Sequence, residues 1–164
     1  MEPVYGQVVM REPRADRRRH ELCSSGARPP PMLSRPAMIY DRRILIADDD
    51  RDLRACMAEL LGELPLRLEI LQAETGLEAL AVLRRFPFHL ALLDMHMPGH
   101  TGLEVLEAIR RETLDVPCIV ISGEASEAVR QQALITGARA VLRKPLEPRL
   151  LRDEVRRVLR IDAA

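Results

Sequence analysis

From Ile44 onward the chain alternates between two kinds of apolar pattern. Short runs at Ile44 to Ala47, Leu66 to Leu71, Leu90 to Leu93, Cys118 to Ile121 and Ala140 to Leu142 come first in each repeat, and four of them are rich in Ile, Val or Leu without polar alternation. Strands buried on both faces have this form. Between the runs, apolar residues recur at helical spacing: Leu53, Met57, Leu60, Leu61 and Leu64, then Leu77, Leu80 and Leu83, then Leu103, Leu106 and Ile109. Val129, Ala133 and Leu134 follow, and Leu151, Val155, Val158 and Leu159 close the series. Each group predicts an amphipathic helix. Asp50 and Thr75 stand where a side-chain oxygen caps helix amides, Pro148 suits a first helical turn, and Pro87, Gly123 and Gly137 fall at breaks.

Five strand–helix repeats predict a parallel sheet covered on both sides, because each right-handed crossover lays its helix on a face. The expected fold is α/β: a flavodoxin-like (βα)5 doubly wound sheet of five strands in the order 2-1-3-4-5, over residues 44–160, with 161–164 as a short C-terminal end. The chain stops about one turn beyond the last helix, so no output domain is expected after it.

Residues 1–43 read differently. Arg17, Arg18 and Arg19 are followed by Pro29, Pro30, Pro31 and Pro36, with no period of two or 3.6. Such a composition buries too little apolar surface to offset the entropy of ordering, and predicts a disordered basic Pro/Arg-rich tail. Nine Arg oppose five acids before Ile44, and sixteen Lys plus Arg oppose twenty acids from there on, so a basic tail precedes an acidic body. The tail suits nucleic acid or an anionic lipid surface, or it is simply solvated, or it is upstream sequence if initiation is at Met32 or Met38. With no Trp, two Phe and two Tyr, an aromatic platform for single strands is disfavoured. Cys23, Cys56 and Cys118 are odd in number and widely spaced, as in reduced thiols of a cytoplasmic protein. The first residues lack an apolar h-region and no run reaches the roughly 18 apolar residues that a membrane span requires, so secretion and membrane insertion are not expected.

Chemistry gathers where strands end. In open parallel α/β sheets, ligands bind beyond the carboxyl ends of the strands at the topological switch point. The first strand ends in Asp48, Asp49 and Asp50, the third in Asp94, the fourth in Ser122 and Gly123, and the fifth runs into Lys144 and Pro145. Carboxylates brought together repel and raise one another's pKa unless a cation sits among them. Mg2+, a hard ion that takes oxygen ligands, fits Asp48, Asp49 and Asp94 better than the scattered His and Cys do. It would hold an incoming phosphoryl group in line with Asp94 as nucleophile, with Lys144 and the Ser122 hydroxyl stabilising the transferred oxygens. Lys144 is the only lysine among 25 basic residues, and a compact point charge suits a crowded acidic pocket better than a planar fork.

The strings ILIADDD at Ile44 to Asp50, LLDMHMPGHTG at Leu92 to Gly102, VISG at Val120 to Gly123 and LRKP at Leu142 to Pro145 resemble those of two-component response regulator receiver domains. The resemblance covers roughly Ile44 to Leu159. It implies that Asp94 is the phosphoacceptor, that Asp48 and Asp49 hold the metal with Asp94, and that His96 lends it a backbone carbonyl. It also implies that Ser122 swings toward the phosphate, that Lys144 contacts it, and that the side chains of His96 and Glu124 tune hydrolysis of the acyl phosphate. Family members often carry Tyr, Phe or His three residues before the lysine; here that residue is Val141, which argues against an aromatic switch.

Blander readings stand beside these. The Asp run also suits a helix N-terminus, Met95 and Met97 suit packing, Pro98 and Gly99 make a turn, and they interrupt the His96 and His100 pair. The first functional expectation is a stand-alone signalling module that takes phosphate from a histidine kinase or histidine phosphotransfer protein and binds a downstream protein. It is not a turnover enzyme. An aspartyl-phosphate hydrolase of the haloacid-dehalogenase type would want an acid where His96 stands, and a cap domain. A DNA-binding regulator would use the tail, but no helix-turn-helix is visible and no specific nucleic acid is expected. Arg139, Arg143, Arg152, Asp153, Arg156 and Arg157 form either a solvated face or the face of a weak phosphorylation-dependent dimer of a chain otherwise monomeric.

Overall fold

The computed structural model describes residues 41–123 and 126–161. Strands and helices alternate as β1 (Arg42–Ala47), α1 (Arg51–Gly62), β2 (Leu68–Ala73), α2 (Gly76–Arg85), β3 (Leu90–Asp94), α3 (Gly102–Arg111), β4 (Cys118–Ser122), α4 (Glu127–Thr136), β5 (Ala140–Arg143) and α5 (Pro148–Leu159). The strands are all parallel and lie in the order β2-β1-β3-β4-β5, as the pattern predicts. β3, β4 and the Ile44 to Ala47 part of β1 are buried throughout, and this explains the missing polar alternation.

A period of two still sorts the strands into two cores. Leu45, Ala47, Leu93 and Val120 face the core built with α2, α3 and α4 through Leu80, Leu83, Val105 and Ala133. Ile44, Ile46, Leu92 and Ile121 face the core built with α1 and α5 through Met57, Leu61, Leu151 and Val155.

Two boundaries depart from the apolar pattern. β2 runs two residues later than the run at Leu66, because pairing with β1 decides its extent: Arg42 opposes Leu68 and Ala47 opposes Ala73, while Leu66 belongs to the turn after α1. β1 begins at Arg42 rather than Ile44, since Arg43 opposes Glu69 across the ladder and its Nε donates to Glu69 Oε2 at 2.6 Å. Beyond Asp41 to Arg43, the expected tail lies outside the described residues, as do residues 162–164. Among the described residues, no helix is long and apolar enough to cross a membrane.

The predicted caps form. Asp50 accepts from the amides of Asp52 and Leu53, Thr75 accepts from that of Glu78, Pro148 occupies the first turn of α5, and Gly137 closes α4 at φ 127°. Thr101 and Glu104 add a reciprocal capping box at α3.

Candidate functional site

Register alone brings the predicted residues to one edge. Ala47 pairs with Leu93, Asp94 with Ile121 and Ser122 with Arg143, so the strands β1, β3, β4 and β5 release Asp48, Asp94, Ser122 and Lys144 side by side. Loop amides extend the ladder: Asp48 N donates to Ala73 O at 3.2 Å, Met95 N to Ile121 O at 2.7 Å, and Lys144 N to Ser122 O at 2.8 Å. The Lys144–Pro145 peptide is cis.

Lys144 Nζ bridges two acids, at 2.9 Å from Asp94 Oδ1 and 3.0 Å from Asp48 Oδ2. Oxygens of Asp48, Asp49 and Asp94 lie within 4.8 Å of one another. Asp48 is 0 % exposed and Asp94 2 %, while Asp49 faces solvent. At that spacing two charged carboxylates repel by on the order of 3 kcal/mol at an effective dielectric of about 20. Burial, together with the charges of Asp48 and Asp49, holds the Asp94 carboxyl above its usual range, against the pull of the Lys144 hydrogen bond. At Lys144 burial acts to lower the pKa, but the hydrogen bonds and charges of Asp94 and Asp48 outweigh it and hold the ammonium above its usual value.

Three carboxylates with one ammonium leave an excess of negative charge on an all-oxygen donor set. A hard dication fits that set, and would relieve the strain registered at Asp94. No side chain of His or Cys joins the cluster among the described residues. His96 sits two residues past Asp94 with an exposed side chain, and Glu124 lies outside the described residues. Ser122 ends β4 at 1 % exposure. Val141, where an aromatic often stands, is partly buried beside Val120 against the α2–α3–α4 core. Cys118 belongs to that same core, and burial pushes its thiol up to about 12, so it supplies no nucleophile.

Two contributors escape a reading by hydrophobic pattern. Gly102 opens α3 directly under the site: a Cβ there would stand 2.3 Å from the carbonyl oxygen of Asp94. Arg54 of α1 is buried behind the acidic edge, with Nη1 donating to Asp48 O at 2.5 Å and Nη2 to Glu74 Oε1 at 2.6 Å. Its place three residues before Met57 and seven before Leu61, on the apolar face of α1, is the signal that could have found it.

The parallel sheet, with buried acids and one lysine at its switch point, defines a doubly wound α/β domain with an acidic edge, and the chain belongs to the family of response regulator receiver domains. The family model for the response regulator receiver domain matches residues 44–156. The chain is 38% identical over 114 residues to a response regulator receiver protein of Anaeromyxobacter sp. (strain Fw109-5), covering 67% of this chain and 46% of that one. It is 34% identical over 124 residues to the phosphate regulon transcriptional regulatory protein PhoB of Pseudomonas aeruginosa, covering 73% of this chain and 52% of that one. The chain thus spans about half the length of these two relatives. Among solved structures, a CheY-like response regulator receiver domain protein from Methanospirillum hungatei JF-1 superposes with a TM-score of 0.65 at 33% identity, over 73% of this chain and 94% of that one. Domains of this family act in two-component phosphorelays, are generally Mg2+-dependent and generally interact with histidine kinases.

Proposed function

We propose that this chain takes a phosphoryl group from a phosphohistidine, on a histidine kinase or a histidine phosphotransfer protein, onto Asp94. The observation that carries the reading is the single ammonium of Lys144 held between Asp94 and Asp48 inside an oxygen cluster. Asp48, Asp49 and Asp94 would hold Mg2+, with the backbone carbonyl of His96 as a further ligand. The ion supplies charge neutralisation at the phosphoryl oxygens.

A carboxylate oxygen of Asp94 forms the new P–O bond as the donor's P–N bond breaks, and the electron pair stays with the departing imidazole, whose other ring nitrogen already carries a proton, so that it leaves as the neutral ring. Lys144 and the Ser122 hydroxyl stabilise charge on the transferred oxygens, so the side chains mainly position and neutralise. Asp94 is consumed as acceptor and regenerated by hydrolysis; the chain is not a turnover enzyme. Val141 leaves no ring to rotate, so the phosphoryl state is read through Ser122, Lys144 and the backbone that they tie together. The output is a change in a protein-binding surface, in a cytoplasmic chain that is a monomer or a weak phosphorylation-dependent dimer. Within the suggested α5 face, Arg152 is engaged by Glu63 and Arg157 by Glu154.

Incubation with Mg2+ and acetyl phosphate tests this. The parent gains one acid-labile phosphoryl group per chain, chelation abolishes the gain, and Asp94→Asn does not label. An Asn variant that labels like the parent overturns the assignment.

A further inference from the structure

Helix α1 exposes Arg51, Asp52 and Glu59 to solvent but buries Arg54, which is 3 % exposed. A desolvated charge costs several kcal/mol, and an apolar side chain of similar volume often packs with greater stability in its place. Met57 and Leu61 on the same face show that apolar side chains suit this surface. Nor does the ion pair account for the arrangement by itself, because the Glu74 side chain is 67% exposed and weakly worth pairing.

The third acceptor is the informative one. Arg54 donates from Nε to Gln72 Oε1 at 3.3 Å, from Nη2 to Glu74, and over its shortest contact from Nη1 to the main-chain oxygen of Asp48. Asp48 Oδ1 meanwhile accepts from Asp50 N at 2.8 Å, and Oδ2 accepts from Lys144 Nζ. All three oxygens of Asp48 are therefore held by donors from α1, from the β1–α1 turn and from the end of β5. A buried acid fixed at three points has one orientation to offer a ligand.

We propose that Arg54 is a positioning residue for the cation site: its guanidinium clamps the Asp48 carbonyl to the C-terminal end of β2, and so sets the angle at which Asp48 and Asp49 present oxygens to Mg2+. This rests on the reading of the acidic edge as a Mg2+ site. Partners one step removed from a metal typically change its affinity 10–100-fold when lost.

Calorimetric titration of Mg2+ into the full chain is the test, with Arg54→Met, Arg54→Lys and Glu74→Gln beside the parent, and melts in EDTA recorded for each. Arg54→Met weakens Mg2+ by about tenfold or more while its metal-free melt stays near the parent's. Arg54→Lys keeps the charge and loses the fork, so it folds and still binds about fivefold more weakly. Glu74→Gln, which leaves the Asp48 contact in place, stays within about twofold. In acetyl phosphate labelling, the Arg54 variants need more Mg2+ for half-maximal labelling and reach the parent's extent once saturated.

Parent-like Mg2+ affinity in a folded Arg54→Lys or Arg54→Met chain overturns the inference, whatever the melts show. So does a loss in Glu74→Gln equal to that in Arg54→Met. A parent that takes up no Mg2+ removes the site reading itself, an outcome distinct from one in which parent and variants bind alike.

Discussion

At Asp94 the proposed function and stability pull in opposite directions. Its carboxyl titrates above 3.8 in the folded chain, chiefly because it is buried and then because Asp48 and Asp49 are near. A carboxyl raised on folding destabilises the native state at every pH above its folded pKa, and the cost fades as acid protonates it, vanishing below the unfolded value. Asp94→Asn therefore melts a few degrees higher than the parent in EDTA at pH 7, and the gain disappears on titration below about pH 3.8. Thermal melts across that range check the sign; an Asn variant that melts lower at pH 7 contradicts it. The acids and the lysine were legible because each ends an apolar run. Arg54 was not, because a charge inside a helical apolar stripe is discounted as solvent-facing, and only the fold shows which carbonyl it reaches.

Elements place these residues by close approach as much as by register. At its start α3 lies against the backbone of Asp94, with Gly102 N donating to Met95 O at 3.0 Å and no room for a side chain. Gly102→Ala forces the helix off the strand end, and is expected to cost about 2 kcal/mol or more and to slow labelling of Asp94. Thr101→Ala, which removes the capping box one residue earlier, costs about 1 kcal/mol and leaves labelling intact. Denaturant melts paired with acetyl phosphate labelling separate the two. Central strands and helices could be read from the chain because burial on both faces, or along one stripe, writes itself into residue type. β2 could not be bounded that way: as an edge strand its limits follow from pairing with β1, which carries it through Gln72 to Ala73. Arg43 likewise looks like the end of a basic stretch until Glu69 is found opposite it.

For the molecule as a whole, the sheet separates two cores, and at one edge of it the carboxylates of Asp48, Asp49 and Asp94 come together. A cation that binds only the folded chain stabilises it by mass action, by about 2.7 kcal/mol at a hundred times its Kd. The parent's melt therefore rises with Mg2+, the rise weakens as pH falls through the Asp94 titration because protons compete for its oxygens, and Asp94→Asn shows less of it above that titration and a similar response below it. A Mg2+ response equal in both chains at pH 7 would count against the cluster as the binding site. Lys144, the sole lysine of 164 residues, gives the pocket a private spectroscopic address. Reductive methylation with carbon-13 formaldehyde would place isotope on one side chain and the amino terminus alone, and it preserves the positive charge. Two resonances would then stand in an otherwise silent spectrum, one of them sited between Asp48 and Asp94 to watch the acyl phosphate form and decay.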